Sequence, residues 1–139
     1  MHNLILSVLS LFIFTDEAPV TKLNVEITNL KSAKGKLWIA MFRPDEKFGG
    51  DKPSIFKIIT LQSASNQTVD FELEPGKYAL AVYHDVNDNS VLDKNFVGIP
   101  KEPYGFSNDF RPRFSPPTFE DCAFELPVSG KKIVVKLTN

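Results

Sequence analysis

The chain has 139 residues, enough for one domain with a proper core and too few for two ordinary ones. Its 42% hydrophobic content and twelve Phe exclude a disordered chain, because apolar surface on that scale offsets the entropy of ordering. A net charge of −1 leaves no basic stripe for nucleic-acid phosphates, and the single Cys122 excludes both an internal disulfide and a thiolate metal cluster.

The one long apolar run stands first: Leu4, Ile5, Leu6, Val8, Leu9, Leu11, Phe12, Ile13 and Phe14. It is too short to span a bilayer and has the length of a signal-peptide core, ended by Thr15, Asp16 and Glu17. Residues 1–18 are therefore expected to be an export leader with an uncertain cleavage point. The alternative is a buried N-terminal strand or helix, because only His2 and the α-amine supply positive charge. Residues 19–139 are then a single β domain, periplasmic or extracellular, with no membrane span.

Short alternating segments follow, separated by turn residues, as in all-β proteins. Leu23, Val25 and Ile27 define one face of a first strand, and Lys34-Gly35 marks a turn. Residues 37–42 are apolar on both faces and read as a central strand. Residues 44–53, with Gly49 and Gly50, form a loop, and residues 55–61 and 69–73 resume strand character. Glu74-Pro75-Gly76-Lys77 carries the signature of a type II turn. It leads into a strand over residues 78–83.

That strand ends in His84-Asp85-Val-Asn87-Asp88-Asn89-Ser90, with Asp93 close behind. Oxygen-bearing side chains recur at every second position, the spacing by which a tight loop wraps a hard cation such as Ca²⁺. Asp85, Asn87, Asn89 and Asp93 are the candidate ligands. The loop is no EF-hand, since Ser90 and Phe96 occupy the positions that need Gly and a bidentate Glu. With two neutral amides in the set, affinity is expected to be weak, about 10⁻⁴ to 10⁻³ M. The competing reading makes these residues plain Asx-turns. His84 cannot pair with Asp85 in a strand, because neighbours point to opposite faces. No catalytic residue is assigned, and a small hydrolase using His84 with Asp85 or Asp88 is the least favoured function.

Residues 100–117 show no periodicity and mix prolines with Tyr104, Phe106, Phe110 and Phe114. Tyr104, Phe106 and Asn108 are candidate ligand-binding residues for a carbohydrate or peptide, against the plainer reading of a lid that seals the sandwich. Residues 119–126 and 133–137 complete the β pattern, with Cys122 as a small buried hydrophobe. The total is about seven strands in an antiparallel, immunoglobulin-like or transthyretin-like sandwich with one long aromatic- and Pro-rich loop.

Four segments carry a family resemblance: the run 35–42, Leu73-Glu-Pro-Gly-Lys-Tyr-Ala-Leu-Ala-Val-Tyr-His-Asp85, the loop through Asp93, and Gly98-Ile-Pro100 with Tyr104-Gly-Phe-Ser-Asn108. Together they resemble the bacterial domain of unknown function 2141 over residues 22–138. The resemblance implies an exported leader and a prealbumin-type sandwich, with no established activity. Related surface sandwiches hold Ca²⁺ in a similar loop, which implies ligation by Asp85, Asn87, Asn89 and Asp93. Ser90 stands where glycine is usual and disfavours positive φ, implying a looser turn. The expected function is a non-catalytic recognition or structural module at the bacterial cell envelope, with an envelope or surface partner and a structural Ca²⁺. A carbohydrate- or peptide-binding module is the alternative.

Overall fold

The computed structural model describes residues 11 to 138, so most of the leader expected over residues 1–18, His2 included, lies outside the described residues. Leu11, Phe12, Ile13 and Phe14 lie outside regular secondary structure and are 77 to 91% exposed, so they take no part in the core.

Alternation of apolar and polar residues builds eight strands. They are β1 (Thr21–Thr28), β2 (Lys36–Phe42), β3 (Ile55–Thr60), β4 (Gln67–Leu73), β5 (Gly76–Asp85), β6 (Tyr104–Phe106), β7 (Ala123–Leu126) and β8 (Lys131–Lys136). One sheet runs β4-β1-β8, and the other β3-β2-β5-β6 with β7 also on β5. Leu23, Val25, Ile27 and Phe71 of the first sheet pack against Leu37, Ile39, Met41, Leu80 and Val82 of the second to form the core of an all-β sandwich. Each fully buried Leu or Ile contributes about 2 kcal/mol relative to exposure.

Four details differ from the sequence expectation. The eighth strand, β6, lies inside the stretch expected to be structureless. The sheets are not wholly antiparallel, since β1 and β8 pair in parallel from Leu23 opposite Lys131 onward. Residues 119–126 do not form one strand: Thr118 and Asp121 close a capping box that winds Phe119–Cys122 into a single helical turn, α1, before β7. Gly76 has φ of +157°, far from the roughly +80° of a type II turn. The chain there is a corner between sheets, pinned by the Tyr78 hydroxyl, which donates to the Glu74 carbonyl at 2.8 Å.

Strand β5 shares one edge between two partners. Residues 76–79 pair with β7 and residues 81–83 with β6, leaving Leu80 between them. The buried Ser107 hydroxyl fills the gap, accepting from Leu80 N at 2.9 Å and donating to the Cys122 carbonyl at 2.5 Å. A buried N–H without that partner would cost about 1–3 kcal/mol.

The other end of the sheet is the edge strand β3. Lys57 stands opposite inward-facing Ile39, and its ammonium crosses to the Asp70 carbonyl and over the Phe71 ring, 5.0 Å from the centroid. An inward lysine on an edge strand discourages pairing with another chain.

Candidate functional site

The antiparallel pairing of β2 with the end of β5 fixes the loop. Gly35, at φ +75°, lies so close to Asp85 that an added Cβ would come within 1.9 Å of the Asp85 carbonyl oxygen. Only glycine permits that approach. Asp85, with no exposed surface, then places its carboxylate at the strand end, where burial demands donors. Oδ1 accepts from Asn89 N at 3.1 Å and Oδ2 from Ser90 N at 2.8 Å, which bends residues 86–90 back over the carboxylate. The bend forces Asp88 and Ser90 to φ of +57° and +65°. Ser90 therefore adopts the positive φ that its side chain disfavours, and the turn is tight rather than loose.

The four expected ion ligands converge in part. Asn87 Nδ2 donates to Asp93 Oδ2 at 2.7 Å, and Asn89 Nδ2 to Asp93 Oδ1 and Oδ2 at 3.0 and 2.9 Å. Asn87 and Asn89 also accept, through Oδ1, from Asn89 N at 3.3 Å and Val91 N at 3.1 Å. The loop is thus built of Asx-type turns, with the Asn87 and Asn89 amides both donating to Asp93. Among the described residues, no three His, Cys, Asp or Glu side chains form a metal-holding group, so any ion here depends on the amides.

A second buried carboxylate belongs to the site. Glu102, 7% exposed, accepts from Val86 N at 3.0 Å and Asp93 N at 3.2 Å, clasping both ends of the loop. Its place is invisible in sequence: an isolated Glu before Pro103 looks like a solvated charge, and only the return of the chain to β6 brings it inward. Asp88 is instead at the surface and accepts from the Lys36 ammonium at 2.9 Å.

His84 points into the sandwich, fully buried. Its Nε2 donates to the Lys34 carbonyl at 2.6 Å, and Nδ1 has no hydrogen-bond partner among the described residues. It does not meet Asp85 or Asp88.

The three residues expected to bind a ligand are split. Tyr104 and Phe106 point outward from β6, their rings 5.8 Å apart, and Phe106 also meets Phe48 at 5.9 Å. Tyr104 stands opposite Tyr83, which stands opposite Trp38; the Trp38 and Tyr83 rings lie parallel, 5.9 Å apart. Asn108 does not join them. Its amide donates to the Ala123 and Asp121 carbonyls at 2.8 and 3.4 Å and ties the chain to the α1–β7 junction.

Burial pushes the Tyr83 phenol up to about 12, helped by the negative charges of Asp85, Glu102 and Asp93. The folded state therefore holds that proton more tightly than the unfolded chain, whose phenol titrates near 10. The stability it contributes is complete below about pH 10 and is lost as pH rises toward about 12. The difference in ultraviolet titration between the wild-type chain and Tyr83→Phe is expected to show the Tyr83 phenol still protonated near pH 11, and Glu102→Gln to lower its midpoint. Asp85→Ala leaves the Ser90 N–H without an acceptor and the Asn89 N–H with only the 3.3 Å contact to Asn87 Oδ1, and is expected to cost about 2–3 kcal/mol in urea unfolding.

The matching family model is described as an uncharacterised protein conserved in bacteria and covers residues 25–134. No curated protein and no solved structure matches the chain. With the model spanning most of the sandwich, from β1 into β8, the chain belongs to the bacterial DUF2141 family.

Proposed function

We propose that the chain is an exported, non-catalytic β-sandwich module that serves recognition or structure at the bacterial cell envelope, with a weakly bound Ca²⁺ stabilising residues 85–93. The observation that carries this reading is the convergence of the Asn87 and Asn89 side chains on Asp93, at 2.7–3.0 Å, in the loop that the buried Asp85 anchors. Hard oxygen donors suit Ca²⁺. The amides now present N–H to Asp93, so ion binding requires them to turn their oxygens inward and to give up turn hydrogen bonds. That competition accords with a dissociation constant of about 10⁻⁴ to 10⁻³ M, useful only where calcium is millimolar. Enclosure of His84 supports a non-catalytic role. The exposed apolar residues 11–14 support export, since a leader has no place in the folded core.

A thermal melt of the full chain in millimolar Ca²⁺, in Mg²⁺ and in chelator tests the ion. At ten times Kd, calcium stabilises by about 1.4 kcal/mol, a rise of roughly 5 °C. Asp93→Asn keeps the side-chain shape and is expected to abolish that rise while leaving the chelator melt nearly unchanged. An equal melt in all three media removes the ion.

The aromatic row Trp38, Tyr83 and Tyr104 favours a second reading, a carbohydrate- or peptide-binding face on the outside of the sheet. Glycan-array or peptide binding that Tyr104→Ala abolishes would support it, and binding unchanged by that substitution would remove Tyr104 from such a site.

A further inference from the structure

Above the acidic clasp the chain rises into a small hairpin. Lys94 and Pro100 face each other in an antiparallel bridge, Asn95 N donates to the Ile99 carbonyl at 2.9 Å, and Gly98 N to the Asn95 carbonyl at 3.0 Å. The Asn95 side chain caps the turn, its Oδ1 accepting from Val97 N and Ile99 N at 3.0 Å each. Gly98, at φ +85°, takes the left-handed position that a three-residue hairpin turn requires. The turn is closed by its own hydrogen bonds, and its apolar side chains stand exposed. Phe96 is 100% exposed, Val97 62% and Ile99 57%. Scattered surface apolar residues need no explanation, but three on one hairpin tip do.

We propose that this tip docks on an anionic lipid surface, with Phe96, Val97 and Ile99 entering the acyl boundary while Lys94 and Lys101 meet the headgroup phosphates. Charge placement supports the assignment. Lys94 and Lys101, both exposed, flank the apolar residues at the base of the hairpin. Of the carboxylates beneath, Asp85 and Glu102 are buried and Asp88 is paired with the Lys36 ammonium, so Asp93 is the one that stands nearest the two lysines. Size argues against a protein partner, because a stable protein interface takes about 800 Å² and 20–30 residues a side, whereas this tip is one convex turn. A fluid bilayer needs no matching shape. A preformed tip also inserts without first losing chain entropy.

The test is local, because the apolar residues 4–14 of the full chain can partition into lipid by themselves. Phe96→Trp places a reporter where exposure is complete, so folding is undisturbed, and the wild-type chain supplies the Trp38 background. With phosphatidylglycerol-containing vesicles in chelator, the introduced indole is expected to shift to the blue and to be quenched by brominated acyl chains. Adding Lys94→Glu and Lys101→Glu is expected to weaken vesicle affinity roughly thirtyfold or more, from the loss of attraction by two lysines. An indole unmoved while the chain still sediments with vesicles would overturn the proposal. So would a concentration-dependent dimer that Phe96→Ser abolishes, which would make the tip a contact between copies.

Discussion

Strand β5 imposes the constraint on which the rest of the sandwich depends: ten consecutive residues cross the molecule, and every buried backbone group along both edges needs a partner. β2 satisfies one edge from Ala79 to Asp85. The other is satisfied in pieces, by β7, then the Ser107 hydroxyl, then β6. The segment between β5 and β7 is therefore not free to be a loose lid. It returns alongside β5, turns at Ser107–Asp109 and is tied by Asn108 to the α1–β7 junction.

The same accounting continues past the end of β5, with carboxylates replacing the missing strand. Asp85 and Glu102 each accept from two backbone N–H groups and so act as short-range substitutes for a ladder. A loop held this way keeps a fixed shape while presenting different chemistry on each level: buried carboxylates at the base, amides and Asp93 above, lysines at the neck and apolar side chains at the tip. Recognition surfaces concentrate on loops because a rigid scaffold positions them, and here hydrogen-bonded carboxylates extend that scaffold outward.

Much of this was legible in the sequence. Period-two alternation marks β1, β4 and β8 because one face of each strand is buried and the other solvated, and the Asp/Asn spacing marks the loop because a tight turn sorts alternate side chains inward. Pairing in space was not legible. The parallel contact of β1 with β8 joins the two ends of the described sandwich, and no local pattern encodes it. β6, a three-residue strand between prolines, is too short to show a period. Glu102 shows no local mark because burial of a charge depends on which N–H groups the fold delivers. Asn108 stands close to Tyr104 and Phe106 along the chain, but its positive φ turns it away from them in space.

Cys122 lies at the junction of α1 and β7 with no exposed surface, and burial together with Asp121 pushes its thiol up to about 12. The thiol is therefore silent toward alkylating and oxidising reagents while the fold is closed, since thiolate is the reacting species. It becomes reactive only when β7 parts from β5 or the whole chain unfolds. As the sole sulfhydryl, it is a built-in clock: its labelling rate under native conditions counts openings of that edge, and comparison with global unfolding separates local breathing from collapse of the sandwich.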